Sequence, residues 1–201
     1  MEYANQLGMQ VVITDHHKPQ AELPPAVAVV DPHRQDCTST FKNYAGVGVA
    51  FQLISALEGK EGDQENLFDH YAELVAIGTI GDIVPLEGDN RILVKQGLSH
   101  LTHTDQVGLL GKDLSAGNVA YSIVPRINAL GRMGSSEQAV RLLLSDDPEE
   151  ADLLAEKMGE QNQERQTQEG EILQQVFACL DKNPSWKAQH VIVVAGEGWH
   201  E

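Results

Sequence analysis

The sequence is poor in cysteine, in basic residues and in long apolar runs. Its 201 residues include only two cysteines, Cys37 and Cys179, which lie far apart. This pattern argues against a disulfide-rich scaffold and is typical of a reducing compartment, so we predict a cytoplasmic protein. No run of about 18 apolar residues is present, and no transmembrane helix is expected. The start of the chain also lacks the basic and apolar regions of a signal peptide.

Charge of one sign dominates the chain. Lys and Arg number 14 against 30 Asp and Glu, for a net charge of −16. Such a surface repels polyanions, which argues against a broad basic face for nucleic acid. One focused site can still hold a substrate phosphate where metal ions reverse the local charge. The hydrophobic fraction of 41% is that of an ordinary globular protein.

Two short β-branched runs, 9–14 and 27–30, are typical of buried strands. Each stops at a polar residue, Asp15 in one case and Asp31 in the other. This arrangement predicts a parallel sheet with chemistry at the strand ends. A third run, 190–195, predicts a strand that opens a second domain.

Apolar spacing predicts helices over 45–57, 67–77, 90–101 and 136–144. We expect a break at Gly78, an irregular, glycine-containing stretch at 103–118, and a compact polar and glycine segment at 125–132.

A long helix is predicted from Pro148 to about Lys182, because Asp147, proline and two early carboxylates form a helix start. It has no apolar residue between Gly159 and Glu171. A helix that is polar all round in its middle typically bridges two bodies through solvent.

The tripeptide Asp15-His16-His17 is the sharpest candidate site, since imidazole and carboxylate together suit Mn²⁺, Zn²⁺ or Fe²⁺. A surface turn with two histidines explains it equally well. Asp82 lies between a glycine-containing turn and apolar residues. It is interpreted either as a metal ligand or as an aspartate that caps the turn.

Asn128 and Arg132 suit phosphate binding, with an ordinary interdomain loop as the alternative. His200 belongs either to a further motif or to a frayed tail.

Six segments in chain order form a recognisable set: Val12-Ile13-Thr14-Asp15-His16-His17, Ala45-Gly46-Val47-Gly48-Val49-Ala50, Gly78-Thr79-Ile80-Gly81-Asp82-Ile83-Val84-Pro85-Leu86, Asn90-Arg91-Ile92-Leu93, Pro125-Arg126-Ile127-Asn128-Ala129-Leu130-Gly131-Arg132 and Gly198-Trp199-His200-Glu201. In this order, they resemble the DHH phosphoesterase superfamily, and within it the RecJ-type single-strand-specific DNA exonucleases.

The resemblance implies an α/β fold. Residues 1–146 would be the C-terminal part of a parallel-sheet DHH catalytic domain, 147–183 a long connecting helix, and 184–201 the start of a second α/β lobe of the DHHA1 type.

The resemblance also implies a role for each candidate residue. His16 and Asp82 would bind the metal pair. His17 would face the scissile phosphate, and Asp15 would support the site. The substrate phosphate would be held by Asn128, Arg132 and His200.

The implied activity is hydrolysis of single-stranded DNA from 5′ to 3′ with two Mn²⁺ or Mg²⁺ ions, releasing 5′-mononucleotides in DNA repair and recombination. The implied partners are single-stranded DNA and other repair proteins such as a helicase or a single-strand-binding protein, with no membrane.

The chain departs from the family pattern upstream of Asp15. The family places aspartate motifs there, yet the fourteen preceding residues contain no aspartate. We therefore expect an internal fragment with an incomplete metal site and little nuclease activity alone. Two alternatives remain: a DHH phosphodiesterase or phosphatase for short oligonucleotides or cyclic dinucleotides, and a non-catalytic DHH-like scaffold.

Overall fold

The structure is a computed structural model that describes residues 1–58, 64–104, 115–132, 136–182 and 184–199. The chain divides into two compact units, Met1–Pro125 and Arg126–Glu201. The helices are α1 (Glu2–Gln6), α2 (Gly46–Glu58), α3 (Gln64–Gly81), α4 (Gly88–Leu101), α5 (Ala116–Asn118), α6 (Val124–Arg132), α7 (Ser136–Leu144) and α8 (Pro148–Lys182). The strands are β1 (Val12–Thr14) and β2 (Ala28–Val30). The fold is α/β, as predicted.

The two predicted strands near the start of the chain pair in parallel. Val12 lies opposite Ala28, and Thr14 lies opposite Val30. Only the middle residue of each strand is partly buried, whereas Val12 stays 54% exposed. The prediction of buried strands is therefore wrong in this respect, because a parallel sheet is buried only where helices cover both faces, and one face of this sheet stays exposed in the described part of the chain.

Helices α2, α3 and α4 pack through glycines that permit close approach. A Cβ at Gly97 of α4 would lie 2.2 Å from the Ala72 carbonyl oxygen of α3, and one at Gly78 of α3 would lie 2.7 Å from Val47 of α2. The predicted break at Gly78 is wrong, since α3 continues to Gly81. This glycine serves helix packing and does not end the helix.

The core of the first unit lies among these helices. Its buried cluster consists of Tyr44, Val49, Phe51, Val75 and Leu93. The Tyr44 hydroxyl donates a hydrogen bond to Asp89, which ties the segment before α2 to the first turn of α4. Burial and the Asp89 carboxylate raise the pKa of Tyr44 well above its usual range.

The compact polar and glycine segment at 125–132 is helical and forms most of α6. A π-helical turn, Val119–Ile123, comes directly before it. Proline is tolerated in the first turn of a helix, so Pro125 does not prevent α6 from forming. The neighbouring prediction of an irregular stretch, at 103–118, falls mostly on 105–114, outside the described residues.

The second unit is built on α8, which spans 35 residues as predicted. Helix α7 packs against α8. The predicted strand at 190–195 is wrong, because these residues have no strand partner in the described part of the chain. A β-branched run forms a strand only where another strand offers hydrogen bonds. No described helix is long and apolar enough to cross a bilayer.

Candidate metal centre

Two aspartates lie side by side at the carboxyl end of the sheet. Thr14 and Val30 are the last paired residues of β1 and β2, and each is followed by an aspartate, Asp15 or Asp31. The Asp15 amide still donates to the Val30 carbonyl at 3.0 Å. The parallel register therefore brings both carboxylates to the same edge, which is where open α/β sheets bind their ligands.

One oxygen of Asp15 organises the tripeptide that follows β1. Asp15 Oδ1 accepts hydrogen bonds from the His16 amide at 2.7 Å and from the His17 amide at 3.1 Å. The same oxygen lies 2.7 Å from His17 Nδ1. These bonds close a tight turn, and the two imidazole rings have centroids 4.2 Å apart.

The contacts within this turn change the acidity of both partners. The hydrogen bond from the His17 ring, aided by the backbone amides of His17 and His16, lowers the pKa of Asp15 to about 2. The reciprocal bond to Asp15, together with its charge, raises the pKa of His17, with smaller contributions from Asp82 and Asp31. The His17 side chain is 76% exposed and faces solvent.

Helix α3 delivers the next carboxylate to the site. His16 Nδ1 lies 3.3 Å from Asp82 Oδ2, at the end of that helix. The His16 side chain is 18% exposed and also touches the start of α2, where a Cβ at Gly46 would lie 3.4 Å from its ring. Three elements that are distant in sequence thus meet at His16.

The donor atoms of this cluster fit a divalent metal ion. The possible ligand atoms of Asp15, His16 and His17 all lie within 4.8 Å of one another. Imidazole nitrogen and carboxylate oxygen are ligands that Mn²⁺ accepts, and carboxylates also suit Mg²⁺. With Asp82 beside His16, the first unit offers a mixed nitrogen and oxygen donor set.

The structure brings only some of the candidate residues together. Asp15, His16, His17 and Asp82 form one cluster in the first unit. Asn128 and Arg132 lie on α6, in the second unit. His200 lies outside the described residues.

Asp31 was not among the predicted site residues. Its side chain is buried and accepts a hydrogen bond from the His33 amide at 2.7 Å. The signal was present in the sequence, because Asp31 follows its strand as Asp15 follows the neighbouring one.

Comparisons with known proteins agree with this architecture. The family described as "DHH family, N-terminal domain" matches residues 1–79 of the chain. The "Single-stranded-DNA-specific exonuclease RecJ" of Bacillus subtilis is 40% identical over 98% of this chain and 25% of its own length. The protein of the same name from Thermus thermophilus is 38% identical over 95% of this chain and 28% of its own length. The chain belongs to the RecJ-type branch of the DHH family.

Solved structures of this branch superpose on the chain. A crystal structure of exonuclease RecJ bound to manganese matches with a TM-score of 0.77 and 41% identity, over 87% of this chain and 46% of that one. RecJ of T. thermophilus in complex with Mg²⁺ matches with a TM-score of 0.69 and 39% identity, over 84% of this chain and 26% of that one. The chain spans about a quarter of the length of the two curated RecJ relatives named above.

Proposed function

We propose that this chain contributes to the metal centre of a metal-dependent exonuclease that hydrolyses single-stranded DNA. The observation that carries the proposal is the cluster at the end of β1, where Asp15, His16 and His17 lie together and Asp82 lies 3.3 Å from His16. Support comes from relatives named as single-stranded-DNA-specific exonucleases and from their structures with Mn²⁺ or Mg²⁺.

Each residue of the cluster has a distinct part in this proposal. His16 and Asp82 hold Mn²⁺ or Mg²⁺, and such ions lower the pKa of bound water and stabilise charge on phosphate oxygens. Asp15 holds the His17 ring through a 2.7 Å contact. A raised pKa favours the protonated ring, so His17 is suited to hydrogen-bond a phosphate oxygen.

The phosphate-binding part of the proposal concerns the second unit and the end of the chain. Asn128 and Arg132 are four positions apart in α6, a spacing that places two residues on the same side of a helix. Amide and guanidinium donors suit phosphate oxygens. With His200, these residues would bind the phosphate backbone and leave hydrolysis to the metal-binding cluster.

The proposal extends to polarity, partners and location. It comprises digestion from 5′ to 3′ with release of 5′-mononucleotides, action beside repair proteins such as a helicase or a single-strand-binding protein, and a cytoplasmic site of action. The domain division at 1–146, 147–183 and 184–201 also stays a prediction. A pull-down with a purified single-strand-binding protein tests the partner.

Metal affinity is the first test, because it does not require turnover. We expect the chain to bind Mn²⁺ in titration calorimetry, and we expect His16→Ala and Asp82→Asn each to weaken binding by at least about 10-fold. His103→Ala is the matched control, since this exposed histidine lies after α4 and contacts Thr102. Equal Mn²⁺ binding by all four proteins would contradict the assigned ligands.

Substrate preference is the second test. With Mn²⁺ present, we expect labelled single-stranded DNA to bind more tightly than duplex of the same sequence, and we expect His16→Ala to lose that binding. A preference for dinucleotides or cyclic dinucleotides would favour a phosphodiesterase. Absence of both metal and DNA binding would favour a scaffold.

A further inference from the structure

An isoleucine adopts a strained backbone conformation beside the metal cluster. Ile83 has a φ of 58° and is the only non-glycine residue with positive φ in the described part of the chain. L-residues pay a steric cost in this region, and a β-branched side chain is least suited to it. Glycine is the residue that usually takes such a position just past the end of a helix.

The turn around Ile83 is held at both ends. The Asp82 amide donates to the Gly78 carbonyl at 3.0 Å, and the Ile83 amide donates to the Ile80 carbonyl at 3.3 Å. On the other side, the fully buried Asn90 donates to the Pro85 carbonyl at 3.1 Å. These hydrogen bonds fix the backbone on both sides of residue 83, which has the positive φ.

This geometry does not explain why the residue is isoleucine. Its side chain is 90% exposed, so packing against the described residues does not repay the strain. Glycine would make the same turn without steric cost. A strained residue that gains nothing from packing beside a functional cluster points to a role for the side chain itself.

We infer that Ile83 is a substrate-contacting residue that presents an apolar surface to a nucleobase of the bound single strand. The inference rests on the proposed function, because it places Ile83 beside the scissile phosphate. Its Cα lies one peptide unit, about 3.8 Å, from that of the candidate ligand Asp82. Aliphatic side chains are used in this way to pack against or between bases.

Oligonucleotides with and without bases separate this contact from phosphate binding. We would measure, by fluorescence anisotropy with Mn²⁺, the affinity of the full chain for a thymidine oligonucleotide with phosphorothioate linkages and for an abasic strand of equal length. The parent is expected to prefer the strand with bases by about 5-fold or more.

Three variants at position 83 separate the effect of the side chain from the effect of the backbone conformation. Ile83→Gly and Ile83→Asn tolerate positive φ, so each is expected to raise the melting temperature and to lose the preference for bases. Ile83→Leu keeps an apolar side chain and is expected to keep the preference. Leu57→Ala is the control, because this leucine is 73% exposed and lies eleven residues along α2 from Gly46, which contacts His16.

The outcomes distinguish this inference from the proposed function. If all variants bind both strands as the parent does, Ile83 makes no base contact, whereas the proposed function stands. If Ile83→Gly and Ile83→Asn weaken Mn²⁺ binding and affinity for both strands equally, residue 83 acts through Asp82 and the base contact is wrong. If the parent binds neither strand, the inference and the proposed function both fail for this chain.

Discussion

At the scale of single residues, the candidate centre depends on one carboxylate oxygen. Asp15 Oδ1 contacts two backbone amides and the His17 ring. An aspartate suits this position because a short acceptor can reach the amides of the next two residues. A glutamate would place the same charge one methylene farther away and would lose this geometry.

A second carboxylate, at the junction of α7 and α8, gives a prediction about pH. Glu150 accepts hydrogen bonds from the Arg141 guanidinium and, at 3.0 Å, from the Ser145 hydroxyl. These contacts, the Arg141 bond first, lower the pKa of Glu150 below its usual 4.5. A carboxylate with a lowered pKa stabilises the folded state fully above its unfolded pKa, and the effect is lost as the pH falls through the folded value.

We therefore expect Glu150→Gln to lower the urea midpoint of unfolding at pH 6. Below pH 4.5, the midpoint of the variant should approach that of the parent as the pH falls. Circular dichroism at 222 nm measures both. The control is Glu164→Gln, which removes one negative charge from the exposed middle of α8. A difference between Glu150→Gln and the parent that is constant from pH 3 to pH 7 would contradict the assignment.

At the scale of elements, glycines in helices have opposite roles depending on what faces them. Gly97 faces the backbone of α3, where a Cβ would lie 2.2 Å from the Ala72 carbonyl oxygen and 2.5 Å from the Ala76 Cβ. No residue that the structure describes lies within 4 Å of the same position at Gly170 of α8. The first glycine permits a helix contact, whereas the second only weakens its helix.

Alanine at these two positions should change stability in opposite directions. Gly97→Ala forces α4 away from α3, and we expect a loss of about 1–3 kcal/mol or more in the free energy of unfolding. Gly170→Ala should gain about 0.5–1 kcal/mol because alanine is the better helix former. Urea denaturation of both variants checks the pair, and a Gly97→Ala variant as stable as the parent would refute the close α3–α4 contact.

At the scale of the whole molecule, the net charge of −16 constrains the mode of DNA binding proposed above. Proteins that make 6–10 phosphate contacts through basic residues lose about 10³- to 10⁵-fold in affinity between 50 and 200 mM salt. An acidic chain that binds a strand through a metal-bearing cluster releases few counterions.

We expect affinity for single-stranded DNA to fall by less than about 10-fold over that salt range, and to disappear when EDTA removes the metal. Anisotropy titrations at several KCl concentrations, with and without EDTA, measure both effects. Salt dependence as steep as that of basic DNA-binding proteins, or binding that survives EDTA, would show that a basic surface carries the interaction.

Local patterns sufficed for much of the fold and for the choice of candidate residues. Periodicity and the Asp147–Pro148 start predicted α8, because helix spacing and capping act within a few residues of the chain. Residue chemistry and local context singled out Asp15, His16, His17 and Asp82, and the order of the motifs identified the family and implied a role for each.

Tertiary structure decided what those residues do together. The 3.3 Å approach of Asp82 to His16 joins residues that are 66 positions apart in the chain, and local spacing carries no information about such a contact. Gly78 predicted a break yet serves packing, because its role depends on Val47 of another helix. The run at 190–195 formed no strand, since a strand exists only with a partner. Sequence determines which groups are available, and packing between distant segments determines which of them meet.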